Sequence, residues 1–172
     1  MSYTIDVYRY NLKAERHFGI FFLFVTFFPQ LVAGPIERAE NLLTQCRNLK
    51  NKLNNEIVIA GIHQIILGFF KKLVIADRLS PYVDQIYSFP EGFSGLNLAV
   101  GTFFFTVQIY CDFSGYSDIA IGSAKLLGIN LMENFKSPYL AKSISEFWSR
   151  WHISLSTWFR DYLYIPLGVI EW

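Results

Sequence analysis

Cysteine, charge and repetition are all scarce in this chain, and each shortage narrows what the protein can be. The two cysteines, Cys46 and Cys111, lie far apart with no metal-ligand spacing, so no metal site is expected and the redox compartment stays unread. Charged residues make up 17% of the chain, below the roughly 25% typical of soluble domains. The net charge is +1, which leaves no concentrated basic face and excludes a nucleic-acid footprint. No internal repeat or low-complexity tract is visible. The opening Met1–Tyr10 lacks the basic start and apolar run of a signal peptide.

What the chain has instead is apolar and aromatic. Of 172 residues 52% are hydrophobic, with 17 phenylalanines and 10 tyrosines. His17–Ile36 and Gly92–Cys111 are each 20 residues long without Asp, Glu, Lys or Arg. A helix needs about 20 apolar residues to cross about 30 Å of hydrocarbon. Three approximate membrane segments follow, 17–36, 57–76 and 92–111. In the first, Pro29 and Pro35 make a kinked span or a re-entrant segment as reasonable as a straight one. In the second, Lys71 and Lys72 must snorkel or face a polar cavity. The expected class is an all-α, polytopic integral membrane protein, with residues 1–172 forming one partial domain in a cell membrane (inner or plasma) and the lipid bilayer as a partner. Loop charges give no orientation. A soluble domain with very apolar core helices is the rival.

Between the apolar stretches, residues 1–16 read as an interfacial or loop segment, and Glu37–Glu56 as a solvated loop or amphipathic surface helix. After the third stretch, Asp112, Ser114 and Ser117 are capable N-caps and Gly115 permits a turn. A helix is therefore expected from about Asp118 to Leu127, stopped at Gly128. Ala120 and Ala124, one turn apart, suit close helix contact. Asp112, Tyr116 and Asp118 are either a cap and tight turn or the lining of a polar cavity.

The C-terminal part carries the best candidate for chemistry. Ser143 and Glu146 have capping-box spacing, and Ile144, Phe147, Trp148, Trp151 and Leu155 form one helical stripe. This predicts a helix over 143–165, ended by Pro166. His152 sits at the edge of that stripe, either packed and satisfied or functional, since an ionisable group at membrane depth tends to mark a site. Arg150, Arg160 and Asp161 read as an interfacial salt-bridge layer or as site residues. Trp148, Trp151 and Trp158 read first as packing and interface anchors.

Three blocks, in order, resemble the membrane-bound O-acyltransferase family in its polysaccharide branch. They are Phe28–Ile36 (Phe-Pro-Gln-Leu-Val-Ala-Gly-Pro-Ile), Asp112–Asp118 (Asp-Phe-Ser-Gly-Tyr-Ser-Asp) and Phe147–Ser156 (Phe-Trp-Ser-Arg-Trp-His-Ile-Ser-Leu-Ser), followed by Trp158, Arg160-Asp161-Tyr162 and Tyr164. Met1–Arg9 resembles an internal stretch of that branch, and the fit is better to its alginate acetyltransferase side than to its D-alanyl side.

The resemblance implies an enzyme that moves an acyl group, an acetyl on the alginate side of this branch, from a thioester to a hydroxyl of an exported polysaccharide. The donor would be acetyl-coenzyme A, another thioester or a carrier protein, used as a cosubstrate with no bound cofactor. His152 matches one of two residues associated with the active site. Asp112, Tyr116, Asp118, Arg150, Trp151, Arg160 and Asp161 would bind substrate or line the site, and a periplasmic or extracellular acyltransferase would act as partner.

A base with pKa near 6.5 suits removal of a hydroxyl proton, and nearby arginines or tyrosines could face the oxyanion. The family's second histidine block is absent before Trp172, and Val169–Trp172 replaces the usual continuation after Pro-Leu-Gly. The chain is therefore expected to be a central fragment, inactive alone. An inert truncated membrane protein or helix-interaction scaffold is the alternative; a transporter, suggested by the Pro-interrupted segments, lacks a supporting repeat.

Overall fold

Two long helices dominate the computed structural model, which describes residues 2–31, 34–48 and 54–168. Val32 and Ala33 of the first block, Lys50 and Lys52 of the polar stretch, and Val169–Trp172 lie outside the described residues. Among the described residues every regular element is helical, and the one extended pairing is a bridge between Phe135 and Trp151.

The first long helix starts at Asn54, whose side-chain carbonyl accepts from the Ile57 N–H at 2.8 Å. It comprises α5 (Asn55–Phe69), a π-turn (Phe70–Ala76) and α6 (Asp77–Ser88). The second, α7 (Gly95–Leu126), starts on the Ser94 hydroxyl. Both are long and apolar enough to cross a membrane. At 1.5 Å per residue, α7 is about 48 Å long, well beyond a 30 Å hydrocarbon layer.

The two helices pack antiparallel through paired glycines. A Cβ on Gly68 would lie 2.7 Å from the Gly115 carbonyl oxygen, and one on Gly122 would lie 2.6 Å from that of Gly61. Both pairs repeat at seven residues, so one stripe of bare backbone on each helix meets the other. Gly115 therefore serves close approach and not the expected turn.

That packing overturns the expected break at Asp112–Asp118, since α7 runs straight through it. The carboxylates do not cap a new helix because cations on the π-turn satisfy them. Lys72 Nζ lies 2.6 Å from Asp112 and 2.8 Å from Asp77, and Lys71 Nζ lies 2.6 Å from Asp118. Lys71 and Lys72 thus face carboxylates between helices. The end of α7 is as expected, with Gly128 at φ 76°.

Smaller helices pack on this hairpin. Within residues 1–16, expected as an interfacial or loop segment, Ser2–Tyr8 form α1. The apolar stretch 17–36 is divided into α2 (Phe18–Thr26) and α3 (Phe28–Leu31). At nine residues, α2 is about 14 Å long and crosses no bilayer alone. The polar stretch forms an amphipathic α4 (Ala39–Arg47) that buries Ala39, Leu42, Leu43 and Cys46. Leu42 and Cys46 join Phe27, Ile121, Ala124, Ile129 and Leu131 in the core, so Ala124 packs toward α4 while the glycines face α5.

The expected helix 143–165 is also broken. It consists of α8 (Ile144–Arg150), α9 (Ile153–Phe159) and a π-turn (Arg160–Tyr164). Ser143 caps α8 as its spacing predicts, but Glu146 accepts from the Lys142 N–H at 2.7 Å, one residue before the cap. The break falls at Trp151 and His152, because tertiary hydrogen bonds there replace helical ones.

Candidate functional site

The segment before α8 supplies those bonds. Lys136 N–H donates to the Arg150 carbonyl and Ile153 N–H to the Asn134 carbonyl, both at 3.0 Å. The two strands of chain lie antiparallel at Phe135 and Trp151. His152 is left between two helices in the left-handed region, at φ 46° and ψ 53°, a conformation uncommon for a residue with a Cβ. Its carbonyl accepts from the Leu155 and Ser156 N–H groups, which begin α9. Sequence periodicity cannot reveal such a break, since the apolar stripe continues through it.

Asn134 locks the loop in place. Its side-chain oxygen accepts from Ser154 Oγ at 2.9 Å and Ser154 N at 3.3 Å, while its amide donates to Ser117 Oγ on α7 at 3.2 Å. Asn134, Ser154 and Ser117 are all buried, so each polar group needs a partner. None of the three was a sequence candidate, and a lone asparagine 18 residues from a histidine gives no local signal.

The His152 imidazole packs T-shaped against the Phe113 ring, with centroids 4.7 Å apart. It makes no cap bond to its own helix. Burial pushes its pKa below the ordinary value, since an apolar surround disfavours the imidazolium. Trp151 packs with Phe135, Phe147, Tyr110 and Tyr139, the packing role expected for the tryptophans.

Beside this loop lies a cleft of about 580 Å³. From α7 it is lined by Tyr110, Ser114, Ser117, Asp118 and Ile121, one helical stripe. Gln64 and Lys71 form the second wall, Glu133–Ser137 and Leu140 the third, and Arg150 closes it from α8. Gln64 donates to Asp118 at 3.2 Å and accepts from Lys125 at 2.7 Å, so it bridges α5 to α7 along this wall. Arg150 is held by Glu146 at 2.5 Å. The Lys142 backbone N–H, together with Arg150, holds the Glu146 carboxyl below its ordinary pKa.

The structure divides the sequence candidates. Asp118 and Arg150 line the cleft, while His152 and Trp151 adjoin its wall at Asn134 and Phe135. Asp112 is an ion-pair partner of Lys72. Tyr116 faces a separate cavity of about 150 Å³ beside Phe28, Pro29 and Gly34. Asp161 lies elsewhere, bonded to Arg38 at 2.5 Å and to its neighbour Arg160 at 2.9 Å, which is the salt-bridge alternative. Lys71 faces this polar cavity, one of the two alternatives its place in an apolar stretch left open, whereas Gln64 and Ser114 are cleft residues that sequence reasoning missed. The cleft is polar, and among the described residues no three His, Cys, Asp or Glu side chains gather as a metal site.

This arrangement sits within a sequence that matches the membrane-bound O-acyltransferase family over residues 13–171. The chain belongs to that family. It is 46% identical over 168 residues to the probable alginate O-acetylase AlgI of Azotobacter vinelandii, covering 98% of this chain and 33% of the relative. It is 42% identical to the peptidoglycan O-acetyltransferase of Helicobacter pylori over 88% of this chain and 29% of the relative. The teichoic acid D-alanyltransferase of Bacillus subtilis is 33% identical over 90% of this chain and 39% of the relative. The chain thus spans about a third of the length of the curated relatives it matches. For this membrane-bound O-acyltransferase family member, the all-helical fold and the two membrane-length helices agree with the family's membrane character.

Proposed function

We propose that the chain forms the part of a membrane-bound acyltransferase that presents a proton-transfer histidine, His152, beside a polar substrate cleft. The acyl group, an acetyl in the simplest case, moves from a thioester such as acetyl-coenzyme A to a hydroxyl of an exported polysaccharide. The observation that carries this reading is the His152 loop, a left-handed residue fixed by buried hydrogen bonds, with an imidazole whose pKa burial pushes below its ordinary value. A neutral imidazole can take the hydroxyl proton as the oxygen attacks the acyl carbon. The tetrahedral oxyanion then collapses, the C–S bond breaks, and the thiolate takes a proton. Arg150, which lines the same cleft and is held by Glu146, is a fixed cation for the developing charge.

The relatives support acyl transfer, since two are named for O-acetylation and one for D-alanylation. A further acyltransferase on the outer face of a multi-pass inner membrane protein would complete delivery to the glycan. The test is His152→Ala in cells making the full-length acyltransferase that contains this chain, with O-acetyl content of the exported polysaccharide measured per molecule of membrane-inserted protein. The expected loss is at least about 100-fold, the scale of general acid–base catalysis. Wild-type acetylation would leave the helix-scaffold reading in its place.

A further inference from the structure

We infer that Asn134 is the positioning residue of this site, a buried clamp that sets where the His152 imidazole stands relative to α7. The inference rests on the reading of His152 as the proton-transfer group, and it adds how that group is held. His152 makes no cap bond to its own helix, so its placement depends on the backbone around it. Three of the four hydrogen bonds that fix that backbone to the rest of the fold converge on Asn134. The Asn134 carbonyl takes the Ile153 N–H, and its side-chain oxygen takes both the N–H and the hydroxyl of Ser154. The fourth, from Lys136 to Arg150, lies on the other side of the histidine.

The remaining arm of the side chain points the other way. Its amide donates to Ser117 Oγ at 3.2 Å, and Ser117 precedes Asp118, the cleft carboxylate paired with Lys71. One side chain therefore ties the histidine loop to the helix that forms the cleft wall. An amide suits this post, because it offers an acceptor to one element and a donor to the other. All three residues are buried, so no water stands ready to replace a lost bond. A left-handed residue between two short helices has a costly conformation, and it persists here because its neighbours are fixed from both sides.

The test uses the membrane-embedded protein with two readouts. One is O-acetyl content of the exported polysaccharide per inserted molecule. The other is the rate at which diethyl pyrocarbonate modifies His152, followed by mass spectrometry at that residue. Asn134→Ala is expected to lower acetylation by about 100-fold per molecule, the scale of an ångström of misplacement, and to speed modification several-fold. Asn134→Asp keeps the acceptor for Ser154 but loses the amide donor to Ser117 and buries a carboxylate, so it is expected to leave both values close to those of Asn134→Ala. Ser117→Ala removes only the tie to α7 and covers the case in which Asn134→Ala fails to accumulate; it is expected to shift both readouts in the same direction.

Wild-type modification rates in both Asn134→Ala and Ser117→Ala overturn the clamp. Lowered protein level with unchanged acetylation per molecule also overturns it, since that is a purely structural role. Full acetylation in His152→Ala refutes the reading of His152 itself, and the modification rates then still decide whether Asn134 holds the loop.

Discussion

The imidazole of His152 and the ring of Phe113 stand at right angles, with planes at 88° and centroids 4.7 Å apart. That contact brings a residue of α7 against the histidine and helps keep water from one side of it. Burial lowers the imidazole pKa, so the unfolded chain binds more protons between the lowered value and about 6.5. Stability therefore rises with pH across that window and is lost as pH falls through it. Phe113→Ala is expected to return the pKa toward 6.5, seen as a shift to higher pH in the pH dependence of His152 modification by diethyl pyrocarbonate. An unchanged profile would mean that other neighbours supply the burial.

The glycine pairs predict a sharp size limit between the long helices. Gly68→Ala would place a Cβ 2.7 Å from the Gly115 carbonyl oxygen, and Gly122→Ala one 2.6 Å from that of Gly61. Backbone cannot move aside as a flexible side chain can, so the helices must separate. The expected cost is about 1–3 kcal/mol for each substitution, measured as a lower unfolding midpoint in detergent or bicelles. Gly95→Ala, with open space around its Cβ position, serves as the control that changes little.

How much of this was legible in the sequence depends on the range of the interaction. Local signals read well: the cap at Ser143, the stop at Gly128 and the apolar lengths of the hairpin all follow from neighbours in the chain. The Asp112–Asp118 segment misled because its caps and glycine are equally good at a second task. Pairing with Lys71 and Lys72, and close approach to Gly68, are satisfied only across the hairpin. The break at His152 was hidden for the same reason, since Asn134 and Lys136 supply its bonds from another segment. The candidate histidine was readable by type and family resemblance, whereas the cleft residues Gln64 and Ser114 required the packing.

A second cluster predicts an unusual phenol. Tyr162 donates to Asp6 at 2.6 Å and lies under the Arg38 guanidinium, whose other contact is Asp161. Burial and the Asp6 carboxylate push its pKa up to about 12. A raised acid pKa favours the neutral fold, so this contribution is present below about 10 and is lost as pH rises through about 12. Ultraviolet titration of tyrosinate is expected to show one late-ionising tyrosine that disappears in Tyr162→Phe. A wild-type titration with no late step would show that the phenol is open to water.

The Lys71–Asp118 pair allows structural and chemical roles to be separated. Both side chains are mostly buried, at 20% and 16% exposure, and lie 2.6 Å apart. Removing either alone leaves a charge with reduced partners between two helices, which is worse than removing both. Lys71→Met and Asp118→Leu are each expected to lower stability, and the double variant to be more stable than their sum by about 1–3 kcal/mol. The pair also lines the cleft, so acyl transfer gives the second reading. If the pair only holds the hairpin, the double variant recovers acetylation together with stability. If Asp118 or Lys71 also meets substrate, stability returns while acetylation does not. The latter outcome is expected, because Gln64 and Lys125 already extend hydrogen bonding along this wall, more polar order than packing of two helices requires.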